Sequence, residues 1–511
     1  MKKIYFLTLT FGLIFFGLNS ANAQDFPWPD LGEAMIIEPG APGTINETIH
    51  ADTSATGERL HNHYILRRGQ TYLYTARIQN TGYPLMVTAE DGDGELPIIK
   101  ALGPAEGEDE AERPFHAEGD LYLKDITING FDQGGNYTDN ATVRLAADGI
   151  TVVLKGVNLD FNRQNSIRIN AVDCELYVED CVIGNQGVAA RLWQGFAVHF
   201  RGNWTPLVHM RNNTIYNMHN NIISNRNEKR YGKLVFENNT VMNTGTNGAD
   251  FGRPDELVVK NNLFVNVGIL GDGFLGDRET FVEPWYYFAV DSNFTDTTNT
   301  TLLDPVVDFS NNRFYLDPAV AELLPDSSDK STETLIHPYL LSLIDEATNI
   351  IADEAFSFTN FPATTGEYES YINDFFAFSD DPAEMPQFDT DIRTLDFGYP
   401  ETHAAYTAGT DGGPIGDLNW LGGAVGINDY RYEAFNVYPN PVSGVIKVNL
   451  KKDQNIDKVV ITNILGQDVK VVSSINSKQF EIDARELNTG IYFVNFYKNE
   501  RFLGTNKILK K

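Results

Sequence analysis

Between residues 121 and 316 the chain repeats one short pattern: three or four apolar or alternating residues, a charged residue, an Asn or Asp, and a further apolar stretch. It reads Leu121-Tyr-Leu-Lys-Asp-Ile-Thr-Ile, Val152-Val-Leu-Lys-Gly-Val-Asn-Leu, Leu176-Tyr-Val-Glu-Asp-Cys-Val-Ile and Val208-His-Met-Arg-Asn-Asn-Thr-Ile. It continues as Leu234-Val-Phe-Glu-Asn-Asn-Thr-Val, Leu257-Val-Val-Lys-Asn-Asn-Leu-Phe, a degenerate Tyr287-Phe-Ala-Val-Asp-Ser-Asn-Phe and Val307-Asp-Phe-Ser-Asn-Asn-Arg-Phe. The starts are 31, 24, 32, 26, 23, 30 and 20 residues apart. Such an interval, with a floor and a variable excess, is one turn of a coil whose strands keep their length while loops take insertions. The pattern therefore predicts an all-β chain wound as a right-handed parallel β-helix. A leucine-rich repeat would need a Leu-x-x-Leu-x-Leu framework, and a propeller a longer, steadier period.

The Asn pairs at 212–213, 238–239, 261–262 and 311–312 follow a strand where the chain must turn sharply. Asn tolerates the left-handed conformation, and its amide can bond its own copy on the next coil, about 4.8 Å away, so an internal ladder is expected. Upstream, Tyr64-Ile-Leu-Arg-Arg-Gly-Gln-Thr-Tyr and Tyr83-Pro-Leu-Met-Val-Thr-Ala-Glu-Asp read as the first coils. Downstream of Leu316, helices are expected over Ile336–Phe356 and Tyr368–Phe378, in an irregular cap ending at Gly409-Thr-Asp-Gly-Gly-Pro-Ile-Gly-Asp-Leu-Asn-Trp420. Such a cap would cover an otherwise open sheet edge.

The N-terminus adds an address. Met1-Lys2-Lys3, an apolar run to Leu18 and Ala21-Asn22-Ala23 form a secretory signal peptide, expected to be cleaved after Ala23. No later run of about 18 apolar residues suggests a membrane span. Cys174 and Cys181 are the only cysteines, too few to staple 511 residues, and are read as buried and inert.

Charge divides what remains. The formal net charge is −31, which disfavours nucleic acid and anionic membranes as partners. Residues 436–511 hold 12 Lys+Arg against 7 Asp+Glu, whereas 24–435 carry −38 once that +5 and the two N-terminal lysines are set aside. The change of sign marks a boundary. The predicted organisation is a signal peptide over 1–23, the β-helix over 24–315, an irregular cap over 316–435 and a small β-sandwich over 436–511.

Within the acidic core, residues 182–233 carry Arg191, Arg201, Arg211, Arg226, Lys229, Arg230 and Lys233 against one acid, Glu228, and include His199, His209 and His219. Arg211 matches Lys124, Lys155, Glu179, Glu237 and Lys260 in other coils and reads as a solvated rung. Arg201, Arg226 and Arg253 each follow a strand just before the loop to the next repeat start, so they are expected on one face. The loop 225–231 would bring Lys229, Arg230 and Tyr231 beside them. Stacked guanidinium forks next to aromatics suit carboxylated or sulfated sugars. The alternative is that these arginines offset the acidic surface around them.

The same groove fits β-elimination from a uronic acid, which needs the carboxylate neutralised, a base for the adjacent proton and a donor for the leaving oxygen. Arg201, Arg226 and Arg253 would neutralise, Lys229 or His199 act as base and Tyr231 as donor, with Arg191, Arg230 and Arg253 holding the chain. A glycoside hydrolase using pairs among Asp250, Asp255, Asp272 and Asp277 is the second reading, and a non-catalytic surface glycan-binding protein the third. No serine-nucleophile signature, phosphate loop or Cys/His metal spacing is evident.

Two resemblances sharpen these expectations. Tyr438-Pro439-Asn440-Pro441, Ile464-Leu465-Gly466-Gln467, Leu487-Asn488-Thr489-Gly490-Ile491-Tyr492 and Lys507-Ile508-Leu509-Lys510-Lys511 resemble the type A sorting domain of the type IX secretion system of Bacteroidetes. That implies the type IX machinery as partner and a secreted or surface-attached product. The coils, with Gly69-Gln-Thr-Tyr72 and Pro97-Ile-Ile, resemble the chondroitinase-B-like or alginate-lyase-like β-helix group and its Bacteroidetes relatives, over about 60–320. This implies an anionic polysaccharide as partner and a Lys and an Arg acting with calcium. The chain departs from that group in lacking an acidic cluster spaced before a Lys; Glu228-Lys229 is the nearest fragment. Glu90-Asp-Gly-Asp-Gly-Glu95 is an oxygen-rich turn that could take calcium but is read first as solvated. No protein metal site is otherwise expected, and a monomer is.

Overall fold

The computed structural model describes residues 26–511 apart from 93, 104–112, 139–140, 188–193, 202–203, 226–229, 246–248, 269–287, 290–303, 318–335, 346–347, 353–355, 361–394, 422–434, 439–441, 451–455, 464–467, 474, 476 and 499–500. The chain divides into two compact units, Met1–Trp420 and Leu421–Lys511.

In the first unit each coil gives a strand to each of three parallel sheets in turn. The first sheet runs through ten strands from Ala34–Ile37 and His63–Leu66 to Arg253–Lys260 and Val306–Ser310. The second runs through ten from Thr71–Tyr74 to Ile350–Ala352, and the third through eight from Ile78–Gln79 to Phe288–Ala289. This is a parallel β-helix, as the repeats predict. Leu85, Leu121, Val152, Leu176, Val208, Leu234, Leu257 and Val307 form one column of the first sheet, with all but Val307 buried in the core.

The degenerate repeat at Tyr287 is not a member of that column. Phe288–Ala289 pair with Ala249–Asp250 in the third sheet, and Glu256–Lys260 pair directly with Val306–Ser310. A short apolar run suits a strand of any sheet, so its pattern does not say which one.

Between the first and second sheets the chain turns within two residues. The first of them, Asp125, Asp180, Asn212, Asn238, Asn261 or Asn311, has φ between 52 and 58°, a region that Asn and Asp enter most readily among non-glycine residues. The second turns its amide inward. Asn213, Asn239 and Asn262 each donate from Nδ2 to Oδ1 of the next, at 2.9, 3.2 and 2.9 Å, ending on Asn312, which donates to Asn349 at 3.0 Å. Each Oδ1 also accepts the backbone N–H of the Asn before it. The expected ladder is therefore present.

A second ladder stands at the far end of the second sheet. Asn217, Asn243 and Asn266 donate to Asn185, Asn217 and Asn243 at 3.0, 3.0 and 3.2 Å, and all four adopt positive φ.

Both ends of the solenoid are furnished. A helix over Thr44–Ala51 buries Ile45 and Ile49 against the core at the N-terminal end. At the other end the expected helix over 336–356 is only Pro338–Leu341, followed by the strand Ile350–Ala352 on the second sheet. The apolar spacing from Ile336 to Ile344 is helical, but Asn349 continues the ladder and the β-branched Ile350 and Ile351 follow it into the sheet. Tyr368–Phe378 lies outside the described residues.

Residues 408–420 form a strap along the row of turns. Its contacts run in coil order: Asn311 Nδ2 to Ala408 O at 2.9 Å, Thr410 N to Asn261 Oδ1 at 3.0 Å, Leu418 N to Asn212 Oδ1 at 3.3 Å and Asn419 Nδ2 to Asp180 Oδ1 at 3.3 Å. Asp417 accepts the Thr214 hydroxyl at 2.7 Å, and Trp420 Nε1 donates to the same hydroxyl oxygen at 2.7 Å.

In the second unit, antiparallel sheets of three and four strands enclose Ile446, Val448, Val459, Ile461, Ile482, Val494, Phe496 and Ile508. The predicted small sandwich is thus observed.

Two consequences are measurable. Asn239→Ala strips partners from the Asn213 N–H and the Met210 carbonyl, both buried, and should destabilise the solenoid by about 2–4 kcal/mol in denaturant titration; Asn238→Gly, at a φ that glycine suits, should stay within about 1 kcal/mol. Burial pushes Asp417 up to about 7 and Asp180, beside Glu179, up to about 8. An acid with a raised folded pKa contributes stability that is full below its unfolded value and lost as pH rises through the folded one. These two carboxyls therefore withdraw stability as pH rises from about 4 to about 8, against the opposite contribution of buried His219, lowered to about 4, and the melting temperature of Asp417→Asn should fall less, or rise more, over that range than that of the parent.

Candidate functional site

Of the eight side chains singled out from the sequence, Arg191, Arg226 and Lys229 lie outside the described residues. The other five are divided between two sheets. His199 belongs to the third-sheet strand Phe196–Phe200, and Arg201, exposed, follows it directly. Arg230, Tyr231 and Arg253 belong to the first sheet, where Arg230 pairs in register with Arg253. Arg253 is therefore not the counterpart of Arg201: its strand has already crossed to the next sheet. It is buried, donates to the Tyr339 hydroxyl at 2.9 Å, and stands on a different sheet from His199.

Tyr231 does not line an outward groove either. Alternation along Arg230–Glu237 turns it inward, fully buried in the hydrophobic core with its ring edge-on to Phe200 at 4.6 Å. An inward side chain cannot protonate a leaving group outside the coil.

Three cations of the positive window are neutralised across coils. Arg211 pairs with Glu179 on the coil before, Arg230 holds Asp255 on the coil after at 2.9 Å while lying over the Trp204 ring, and Lys233 meets Glu256 at 2.6 Å. Arg211 is thus no solvated rung. It belongs to an outward row of alternating sign, Lys155, Glu179, Arg211, Glu237 and Lys260 in register, with Lys155 to Glu179 at 3.1 Å and Lys260 to Glu237 at 3.3 Å. Burial alone would raise Glu237, but His209 and the charges of Lys260 and Arg211 hold it down at about 2. For Arg211, Arg230 and Lys233 the offsetting reading fits better than the groove.

A different face collects cations without alternation. On the third sheet Gln79, His116, Arg144, Arg168, His199 and Ser224 are in register, one per coil. Their neighbours Phe115, Val143, Ile167 and Val198 fill the core, so the row faces outward. Arg168 and His199 are nonetheless buried, and the Phe196 ring lies 4.9 Å from His199. The signal for this row was the recurrence of a basic residue at one strand position. It escaped the charge count because its members are 24 to 31 residues apart.

Calcium finds no support in the described residues. Glu90 is held by Arg67 Nη1 and the Arg68 N–H, each at 2.9 Å, and no group of three His, Cys, Asp or Glu among the described residues is arranged around a cation site. For the hydrolase reading, Asp272 and Asp277 lie outside the described residues, while Asp250 and Asp255 stand on different sheets. Cys174 and Cys181 are free and buried, and burial raises both thiols, as suits inert cysteines.

The fold thus defines an extended solenoid with an appended sandwich. Residues 436–511 match the secretion system C-terminal sorting domain family. The chain is therefore exported by the type IX route to the cell surface or the extracellular space, and the secretion machinery is a partner. No helix among the described residues is long and apolar enough to cross a membrane. No curated protein matches the chain.

With its hydroxyl in the core, Tyr231→Phe should leave any binding or turnover of an anionic polymer unchanged, as read by titration and product assay. Tyr231→Ala should instead open a cavity against Phe200 and cost about 3–5 kcal/mol.

Proposed function

We propose that the solenoid is a polysaccharide lyase acting by β-elimination on an anionic, uronic-acid-containing polymer outside the cell. The observation that carries this reading is the in-register pair Arg168 and His199, with exposed Arg201 two residues further on. A guanidinium fixed one coil from an imidazole supplies two of the three functions the reaction needs. Arg168 and Arg201, with Arg226, neutralise the carboxylate, and His199 or Lys229 takes the proton from the carbon beside it. The electron pair forms the double bond to the next carbon, whose bond to the glycosidic oxygen breaks as that oxygen takes up a proton. A guanidinium stabilises the enolate-like charge best where water is excluded, which the burial around His199 favours. No step is routed through calcium.

Incubating the full chain with alginate, pectate, ulvan and glycosaminoglycans tests the reading. A lyase gives products with an ultraviolet-absorbing unsaturated end; reducing ends without that absorbance would mean a hydrolase, and retention without cleavage a binding protein. On the polymer that is cleaved, His199→Gln or Lys229→Gln should lower turnover by about a hundredfold or more, the range of a lost general base. Unchanged turnover in both variants and in Arg201→Gln would remove this face from the account.

A further inference from the structure

Three coils before His199, the same row passes through a denser group of cations. His116 and Arg168 flank Arg144 in register on either side, and Arg113 Nη1 donates to His116 Nδ1 at 3.0 Å. Arg77, just before the strand Ile78–Gln79, donates from Nε at 2.9 Å to Oε1 of Gln79, which is in register with His116, and its charge disfavours the protonated forms of both Arg144 and His116. The acid beside them, Glu118, is already engaged by Thr81 at 2.6 Å, Gln79 at 2.8 Å and His116 Nε2 at 3.3 Å.

We infer that Arg77, Arg113, His116 and Arg144 form an oxyanion subsite for the carboxylate of a sugar acid, on the coils before the reacting centre at Arg168 and His199. The inference rests on the anionic-polymer reading above and adds to it a second point of contact along the solenoid axis.

On the first sheet Lys155 and Arg211 have Glu179 on an adjacent coil, Lys260 has Glu237, Arg230 has Asp255 and Lys233 has Glu256, while Lys124, in register with Lys155, has Asp125 of its own coil at 3.8 Å. Arg144 has an imidazole on one side and a guanidinium on the other. Like charges opposite one another on neighbouring strands destabilise a sheet. Burial and the Arg77 charge also lower the pKa of Arg144, the mark of a cation held where it is disfavoured. Its Nε is buried without a hydrogen-bond partner among the described residues. An incoming carboxylate relieves both penalties at once, accepting from the guanidinium and screening its neighbours. His116 serves as a positioning group while neutral: burial and then the Arg113 charge lower its pKa, its Nδ1 accepts from Arg113 and so fixes the Arg113 fork, and its Nε2 faces Glu118. Successive coils rise by about 4.8 Å, so a polymer laid along the axis would set one anionic group here and a later sugar at His199.

Calorimetric titration of the full chain with a uronic-acid tetrasaccharide, and in parallel with a sulfated glycosaminoglycan tetrasaccharide, tests the subsite. Arg144→Gln should weaken binding of the carboxylated probe at least tenfold, and Arg144→Lys, which keeps the charge but loses the fork, by a smaller factor. Arg77→Gln, on another coil, should weaken it too and guards against an Arg144 variant that fails to fold, as judged by its melting curve. Lys233→Gln should bind like the parent. Equal affinity in parent, Arg144→Gln and Arg77→Gln overturns the subsite, whatever happens to turnover. Tight binding by the parent with no cleavage of any polymer, lost in Arg144→Gln, overturns the lyase reading and leaves the subsite standing. Preference of the parent for the sulfated probe overturns the assignment to a carboxylate.

Discussion

The solenoid depends on one constraint: parallel coils stack in register, so every residue lies about 4.8 Å from its counterparts above and below. A side chain therefore meets residues at its own position in the coil before anything else. Apolar columns such as Leu121, Val152, Leu176 and Val208 meet this without difficulty. A buried amide meets it as well, because it is donor and acceptor in one group; Asn213, Asn239, Asn262 and Asn312 satisfy each other and the backbone of the turn. An ionised side chain cannot neutralise its own copy, and the outward row of the first sheet alternates Glu179, Arg211, Glu237 and Lys260 accordingly. The constraint lapses at the ends, where the helix Thr44–Ala51 supplies the apolar contacts a further coil would have made.

Much of this could be read from the chain, and the failures have physical reasons. The repeat starts were legible because an inward strand followed by a left-handed Asn joins two independent requirements at a fixed offset. Tyr287 was misplaced because the interval from Leu257 to Val307 is 50 residues, long enough to hold a strand of another sheet that mimics a start. The second ladder went unseen because its residues are single asparagines, although they recur four positions after the first: Asn213 and Asn217, Asn239 and Asn243, Asn262 and Asn266. The helix expected over 336–356 failed where Asn349 obeyed the ladder instead of the local period.

Charge was the least legible property. A linear window counts neighbours in sequence, whereas a solenoid pairs residues a whole coil apart. The excess of cations over 182–233 therefore shrinks once Glu179, Asp255 and Glu256 are placed beside Arg211, Arg230 and Lys233. The same blindness hid the opposite case. His116, Arg144 and Arg168 are scattered through stretches whose acids balance them on paper, His199 falls in the basic window, and only register brings the four into one row.

The three outward faces are used differently, and that difference bears on function. On the first sheet, Met86, Tyr122, Val153 and Tyr177 are covered by the N-terminal segment through Phe26 and Leu31, with Trp28 edge-on to Tyr122. On the second, the row of turns is bound by the strap 408–420, and Tyr216 meets Phe397. Both arrangements lower the energy of the folded chain and need no ligand to explain them. The third sheet's row raises that energy, since Arg144 and Arg168 repel where a single Glu in either position would attract. A stacked fold can correct such a rung with one substitution, as its first sheet does repeatedly. A cost of this kind is understandable at a place where charge acts on something outside the chain. For a chain exported to the cell surface or the extracellular space, the anionic polymer proposed above is a partner able to reach such an outward face.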